Sequence, residues 1–174
     1  MSQTIILETQ RLRLVMWDRD DASLINGLHS TLDTTRYLTG GEPWSLPKAQ
    51  ERLEKWFEEH ERDGTCKYKL LSRDDDRFIG RAGFSLYGGE RSDFELGYSL
   101  ARTEWGKGYA TEIAAALRDW FFDRKLASKF IAFTHPDNSA SQNVLTKIGM
   151  RCCTPMIIDG LECPTFEYSS DMRR

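Results

Sequence analysis

The 174-residue sequence predicts a single α/β domain in which a mixed, twisted β-sheet carries helices on both faces. Three β-type segments, 68–72, 78–87 and 94–101, follow one another with only short turns between them, so we expect them to pair antiparallel. A helical segment, 106–125, then separates the third of these strands from another at 129–134. This order is that of a β-α-β unit, which requires parallel strands. The length is sufficient to bury a core without disulfides or metals.

The N-terminal third is predicted to contain one strand and two helices. Residues 11–16 begin with alternating polar and apolar side chains, as a strand does. Asp18 is expected to cap a helix with Leu24, Ile25 and Leu28 on one face. After a loop at 39–43, a second helix is expected to begin near Ser45, with Pro47 in its first turn, and to end at Gly64. Its stripe at helical spacing consists of Leu53, Trp56, Phe57 and His60.

The strand block contains two predicted turns, Asp74 to Asp76 and Gly88-Gly89. Gly80 and Gly83 lie inside one predicted strand, which indicates a bulge or a close approach of another backbone segment.

The C-terminal part is predicted to contain a long helix, a short helix and a hairpin. The long helix buries the stripe Ile113, Ala116, Leu117, Trp120 and Phe121. The short helix runs over 138–148 and ends at Gly149. Strands at 152–158 and 161–169 flank Asp159-Gly160, a dipeptide typical of tight hairpin turns.

Composition excludes several classes of protein. Apolar residues make up 40% and charged residues 29%, as in soluble domains, and the net charge of −3 gives no overall basic field for nucleic acid. No apolar run approaches the roughly 20 residues of a membrane span, and the N-terminus lacks signal-peptide features, so the cytoplasm is the expected location. Four cysteines and three histidines show no zinc-ligand spacing, so we expect free thiols and no metal.

The segment most informative about chemistry runs from Glu95 through a glycine-rich turn, Trp105-Gly-Lys-Gly-Tyr-Ala-Thr-Glu112, into the long helix. Glycines permit a tight turn, and the first helical turn has unpaired N–H groups with partial positive charge, so the segment can bind a phosphate or pyrophosphate. A Walker loop fails because Gly108 follows Lys107, and a dinucleotide fingerprint fails because Thr111 replaces its third glycine. A helix start without a ligand is the alternative.

A second constellation, Asn138-x-x-Ser141, starts the short helix. Alone, it is explained by ordinary helix capping. Together and in this order, however, the two segments resemble the GNAT superfamily of N-acetyltransferases, in particular its RimJ/RimL-like branch. The resemblance covers nearly the whole chain through the blocks 7–14, 78–80, 95–98, 105–112, 138–141 and 147–149.

The resemblance implies a sheet whose central parallel strands splay apart, with coenzyme A in the gap. The strand around Leu96, Tyr98 and Leu100 would pair with the pantetheine arm through its backbone. The pyrophosphate would lie on main-chain N–H groups of Trp105, Gly106, Lys107, Gly108, Tyr109 and Ala110, with Lys107 adding positive charge. Asn138 and Asn143 would face the coenzyme from the short helix. The family often has Gln or Arg where this chain has Thr103, and we expect a modest effect.

For catalysis, the resemblance implies direct attack of an amine on the thioester of acetyl-CoA. Glu95 is the first candidate for the general base, and a solvent-facing strand carboxylate is its alternative. A backbone N–H near Tyr98 or Ser99 would polarise the carbonyl. Ser141 would donate a hydrogen bond to the leaving thiolate, with simple capping as its alternative, and His135 is a further candidate acid or base.

The acceptor is less specified. By analogy, Tyr37 and Trp44 would line its site, whereas Trp56 fits a core stripe better. A protein N-terminus, an amino acid, a polyamine and an aminoglycoside-like compound all remain open, as does an acyl donor other than acetyl. A non-catalytic acyl-CoA-binding module is the competing function, and a phosphate-binding NTPase is disfavoured. The expected partners are acetyl-CoA and an amine, without nucleic acid or membrane, in a monomer or homodimer.

Overall fold

The computed structural model describes residues 3–38, 40–88 and 92–173, which form eight strands and five α-helices. The strands are β1 Ile5–Glu8, β2 Leu12–Val15, β3 Lys67–Ser72, β4 Phe78–Tyr87, β5 Asp93–Leu100, β6 Lys129–Phe133, β7 Arg151–Ile158 and β8 Leu161–Ser169. The helices are α1 Ala22–His29, α2 Leu32–Thr35, α3 Leu46–Asp63, α4 Tyr109–Asp123 and α5 Ser139–Lys147, with short 3-10 helices at Arg102–Glu104 and Ser170–Met172.

The strands form one mixed sheet in the order β1-β2-β3-β4-β5-β6-β8-β7. All neighbouring pairs are antiparallel except β5 and β6, which are parallel and are in register at only one position, Glu95 with Ile131. Beyond that point the two strands no longer pair, so their carboxyl-terminal halves border a gap in the middle of the sheet. The predicted α/β class, the mixed sheet and the splayed central strands are confirmed.

The sheet has two very different faces. On the face toward α4 lies an aromatic core in which the ring centroid of Phe84 is 4.6 Å from that of Phe121 and 5.0 Å from that of Phe130. On the face toward α1 and α3, the sheet instead carries Lys67, Lys69 and Arg81, all buried. The strand register places Lys69 beside Arg81 and Arg81 beside Ser99, so these side chains share that face.

Local sequence signals account for the helix boundaries. The Ser45 hydroxyl accepts a hydrogen bond from the Lys48 amide at 3.3 Å, which confirms the start of α3, and Gly64 ends that helix. The predicted close approach at Gly80 and Gly83 is also confirmed. A Cβ at Gly80 would lie 2.1 Å from the Ser99 carbonyl oxygen, and one at Gly83 would lie 1.9 Å from the Cys66 carbonyl oxygen.

Five details differ from the sequence predictions. β1 and α2 were not predicted, and Asp18 does not cap α1: Asp21 holds that position without a side-chain capping bond. Both aspartates bind the buried ammonium of Lys69 instead, at 2.8 and 2.6 Å. α4 begins at Tyr109, and Ala114 takes the buried place predicted for Ala116. The turn predicted at Gly88-Gly89 lies partly outside the described residues.

Candidate active site

The gap between β5 and β6 opens into a cleft of about 1340 Å³ that reaches both faces of the sheet. Most of the residues predicted for the site line this one cleft: Tyr37, Trp44, Glu95, Leu96, Tyr98, Leu100, Trp105, Gly106, Gly108, Tyr109, Ala110, Asn138 and Ser141. Two do not line it. Asn143 is exposed on α5, and Lys107 lies beside the cleft wall with its side chain turned to another partner.

The glycine-rich turn ends on the first turn of α4. Gly108 occupies the left-handed region at φ +80°, and its carbonyl accepts the first helical hydrogen bond, from the Glu112 amide at 3.1 Å. The amides of Tyr109, Ala110 and Thr111 precede that bond and therefore have no partner within the helix. These amides line the cleft at the positive end of the helix dipole, which suits an anionic group such as a pyrophosphate.

Arg11 fixes this turn from the N-terminal hairpin. Its Nη1 donates to the Lys107 carbonyl at 2.8 Å, its Nε donates to Glu112 at 2.7 Å, and its guanidinium lies 4.7 Å from the centroid of the Tyr109 ring. The Lys107 ammonium pairs with Glu104 at 3.0 Å, so its charge already has a carboxylate partner.

A hydroxyl pair spans the gap. The phenol oxygen of Tyr98, on β5, lies 2.8 Å from Oγ of Ser141, on α5, and either group is able to donate the proton. Burial raises the pKa of Tyr98 to about 12, although the contact with Ser141 opposes the shift, so the phenol stays protonated at neutral pH. Oδ1 of Asn138 accepts from the Ser141 amide at 3.2 Å, which leaves the Asn138 NH₂ facing the cleft as a donor.

Thr134, directly after β6, contributes an unpaired polar atom. Its side chain is buried and lines the cleft, and its Oγ1 has no hydrogen-bond partner among the described residues. Buried hydroxyls are rarely left without a partner, because the lost hydration is not replaced. The free amides of α4 and the Asn138 NH₂ are therefore donors beside the cleft, and the Thr134 hydroxyl is a buried polar group next to them that has no partner among the described residues.

On the other side of β5, Glu95 is paired with a buried lysine. The Lys67 ammonium donates to Glu95 Oε2 at 2.7 Å and to the Glu95 carbonyl oxygen at 2.8 Å. Burial lowers the pKa of Lys67, while the nearby Glu95 carboxylate acts in the opposite direction. The pair lies across Gly97, where an added Cβ would approach Cε of Lys67 to 2.8 Å.

Arg81 continues the same face. Its Nε donates to Nε2 of His29 at 3.0 Å, and Nδ1 of His29 lies 3.1 Å from the Thr34 hydroxyl. Burial, with Arg81 and Arg52 nearby, lowers the pKa of His29 to about 2, so the imidazole is neutral and accepts the guanidinium hydrogen bond.

The predicted substrate residues lie at different depths. Tyr37 is 37% exposed, and its ring centroid lies 5.0 Å from that of His135. Trp44 is only 7% exposed and lies 4.3 Å from the His29 ring by the same measure. Trp56 belongs to the core, as predicted, yet its edge also lines the cleft. His135 accepts a hydrogen bond from the Asp137 amide at its Nδ1, at 3.1 Å.

Sequence reasoning missed the charged face: Lys67, Arg81 and His29 were not predicted to take part, and neither was Thr134. One signal was available. Lys67-Tyr68-Lys69-Leu70 alternates charged and apolar residues in a predicted strand, which indicates a charged sheet face.

Residues 3–38, 40–88 and 92–173 contain no group of three or more His, Cys, Asp or Glu side chains arranged to hold a metal ion. None of the helices in these ranges combines the length and apolar character needed to cross a bilayer.

Comparisons with known proteins agree with this geometry. The family model described as an acetyltransferase (GNAT) domain matches residues 11–151. YkkB of Bacillus subtilis is 33% identical over 150 residues, covering 83% of this chain and 84% of its own. The N-acetyltransferase YnaD of the same organism is 28% identical over 145 residues, covering 83% of this chain and 82% of its own.

Among solved structures, the ribosomal-protein acetyltransferase RimL in complex with coenzyme A superposes with a TM-score of 0.82 at 17% identity, covering 97% of this chain and 99% of that one. Together, the matches confirm the predicted family, the acetyltransferase class of enzyme and acetyl-CoA as the co-substrate. The chain therefore belongs to the GNAT family of acetyltransferases.

Proposed function

We propose that residues 1–174 form one GNAT domain that transfers the acetyl group of acetyl-CoA directly to the nitrogen of a primary amine. The observation that carries this proposal is the position of β5. One side of the gap beside it offers unpaired amides and hydroxyls, and the other side offers a charged pocket that contains Glu95. A donor and an acceptor are thereby able to approach from opposite faces of the sheet.

The donor wall acts mostly through the main chain. Acetyl-CoA, when bound, supplies an acyl carbon activated as a thioester. The exposed edge of β5 at Leu96, Tyr98 and Leu100 would hold the pantetheine arm, since β6 leaves that edge unpaired. The amides from Gly106 to Ala110 would hold the pyrophosphate, with Trp105 beside them and the Asn138 NH₂ opposite.

The hydroxyl pair serves the leaving group. Ser141 donates to the departing sulfur, and the Tyr98 phenol donates to Ser141, which its high pKa permits at neutral pH. Ser141 is the catalytic residue on the side of the leaving group. Tyr98 is a positioning residue through its side chain, while a backbone N–H near Tyr98 or Ser99 would polarise the acyl carbonyl.

Glu95 serves the incoming amine. An amine must lose its proton to attack, and an α-amine with a pKa of about 7.7–8.0 does so more readily than a lysine side chain at about 10.4. Glu95 would take that proton through a water molecule, while Lys67 keeps its carboxylate in place. A cytoplasmic location and the choice between monomer and homodimer stay predictions.

The test is coenzyme A release, measured with a thiol-reactive dye in the presence of acetyl-CoA and a panel of amines. Gly108→Trp places a large side chain in the pyrophosphate turn, and we expect it to abolish release. Gly64→Trp is the matched control, because Gly64 has a similar φ of +76° but lies at the exposed end of α3, outside the cleft. Its release should match that of the native protein.

The outcomes separate the two functions under consideration. Amine-dependent release that only Gly108→Trp removes supports the transferase. Binding of acetyl-CoA without release for any amine would contradict it and favour the acyl-CoA-binding module. No binding of acetyl-CoA at all would contradict both.

A further inference from the structure

Three cations converge on the Trp44 ring at the acceptor end of the cleft. Nζ of Lys48 lies 5.4 Å from its centroid, and the guanidinium carbons of Arg52 and Arg81 lie 5.8 and 6.0 Å from it. Lys48 and Arg52 are four residues apart on α3 and thus share one helix face, while Arg81 comes from β4. We call Lys48, Arg52 and Arg81 the cationic pocket, and all three line the cleft.

The cationic pocket has no carboxylate partner. None of its three members forms an ion pair within 4.0 Å among the described residues. The neighbouring buried lysines on the same sheet face are different: Lys67 pairs with Glu95, and Lys69 pairs with two aspartates. Arg81 is buried without a direct ion pair, and the carboxylates of Glu59 and Glu95 act on it only from a longer distance. A buried guanidinium without a direct partner is costly to the fold, so its place beside a cleft suits an anionic ligand that would pair with it.

The orientation of Arg81 is fixed. Its side chain is buried, with 7% exposed, and lies between Trp44 and Trp56, 5.5 Å from the latter ring. The hydrogen bond to His29 uses Nε only. The two terminal nitrogens, Nη1 and Nη2, make no hydrogen bond to any described residue, and their residue lines the cleft. Two parallel N–H donors in one plane match the two oxygens of a carboxylate.

The other charged groups facing Arg81 leave the pocket positive. Glu59, on α3, accepts a hydrogen bond from the Ser85 hydroxyl at 2.7 Å. The negative charge of the Glu95 carboxylate is balanced by the Lys67 ammonium. His29 is neutral and adds no charge. Three cations therefore face one uncompensated carboxylate, Glu59. Such a pocket repels polyamines and other polycations and attracts an anionic group.

We infer that the acceptor is a small amine that also carries a carboxylate, which binds Nη1 and Nη2 of Arg81 with Arg52 and Lys48 at the rim. The inference rests on the proposed function for the fate of the amine. Arg81 is the register partner of Ser99 on β5, so its carboxylate site lies about one strand spacing, roughly 5 Å, from the strand that borders the gap. A single small molecule, such as an amino acid, spans that distance.

The first test compares free amino acids with their C-terminal amides as acceptors, because each pair differs only in the carboxylate. A hydrogen bond to a charged group contributes about 1.5–3 kcal/mol, so we expect kcat/KM to favour the acid by roughly 10- to 100-fold. The amide has the less basic amine and the larger unprotonated fraction at neutral pH, so intrinsic reactivity opposes this preference. Equal or faster turnover of amides or polyamines would overturn the inference while leaving the transferase in place.

Substitutions in the cationic pocket test whether its residues cause the preference for acids over amides. Arg81→Met should bring the acid-to-amide ratio close to one, with the KM for acetyl-CoA unchanged. Arg52→Gln, at a half-buried position that does not endanger folding, should reduce the ratio several-fold. Lys55→Gln is the matched control, since Lys55 lies on the exposed side of the same helix and pairs with Glu51 at 2.7 Å. A ratio that is the same in all three variants would contradict the assignment.

A binding measurement keeps the inference separate from the proposed function. N-acetyl amino acids and their amides are titrated calorimetrically into the protein saturated with coenzyme A. We expect the carboxylates to bind at least 10-fold more tightly than the amides, and Arg81→Met to remove the difference. If carboxylates bind more tightly in this way but no amine is acetylated, the carboxylate site stands and the transferase function is rejected. If the native protein binds carboxylates and amides equally well, the carboxylate site is overturned.

Discussion

The two faces of the sheet around β5 present different chemical groups to a ligand. The face toward α4 is apolar beneath the donor site, where Phe84 packs on Phe121, and the groups left for a ligand are mostly main-chain amides. The face toward α1 and α3 is charged, and what it offers are side chains such as Glu95 and Arg81. Backbone recognition suits a donor common to a whole family, and side-chain recognition suits an acceptor particular to one enzyme.

Glu95→Gln is expected to give the largest effect and to separate the two faces most clearly. Loss of a general base costs about 10²- to 10⁴-fold, so kcat/KM for the amine should fall by at least about 100-fold. The Kd for acetyl-CoA, measured by calorimetry, should not change, because Glu95 lies on the acceptor face. Glu58→Gln, on the exposed side of α3, is the control. A loss of acetyl-CoA binding in Glu95→Gln would break the division between the faces.

Ser141→Ala is expected to lower kcat by roughly 10- to 100-fold, the cost of one strong hydrogen bond at the leaving group. Tyr98→Phe should lower it less, because the phenol acts through Ser141. The double variant should be no slower than Ser141→Ala, because the Tyr98 phenol acts on the leaving group only through the Ser141 hydroxyl. Additive effects of the two substitutions on single-turnover rates would show that Tyr98 acts independently of Ser141 and would contradict this arrangement.

His29 tests the charged face through stability. Its pKa of about 2 in the folded state lies below the ordinary value of 6.5, so the unfolded state binds the extra proton and stability falls as pH drops below 6.5. Between pH 6.5 and 5 the loss should be about 2 kcal/mol. His29→Gln retains an acceptor for Arg81 but does not titrate, so its loss over this interval should be smaller by that amount in urea unfolding. If the free energy of unfolding fell equally in the native protein and in His29→Gln between pH 6.5 and 5, His29 would instead lie in a solvated site.

Thr134→Val should give the smallest effect, and it tests whether the Thr134 hydroxyl contributes to the binding of acetyl-CoA. Because the Thr134 hydroxyl has no partner among the described residues, its removal should leave the free energy of unfolding unchanged or raise it by up to about 1 kcal/mol. Acetyl-CoA should nevertheless bind several-fold more weakly. Unchanged binding would exclude this hydroxyl from the donor site.

The elements around the glycine-rich turn could be predicted from the sequence because their signals are local. Gly108, the start of α4 and Asn138 before α5 act within a few residues of their own position, so the chain order displays them. The same holds for the caps of α3 at Ser45 and Gly64. β1 was missed because its four residues lack alternation and depend on the pairing with β2.

The acceptor face was not readable because its contacts are distant in sequence. Arg81 meets His29 across 52 positions, and Lys67 meets Glu95 across 28. Asp18 was predicted as a helix cap because local sequence cannot reveal that Lys69 competes for it. The charged pocket therefore could not be predicted before the fold placed these residues together.

Transfer of a deuterium-labelled acetyl group to an amine is the most direct measurement of the central claim. The protein is incubated with labelled acetyl-CoA and the amine panel, and each product is analysed by mass spectrometry. We predict the label on the nitrogen of an amine, and no label there with Gly108→Trp. Labelled acetate as the only product, or intact acetyl-CoA bound to the protein without transfer to any amine, would contradict the account.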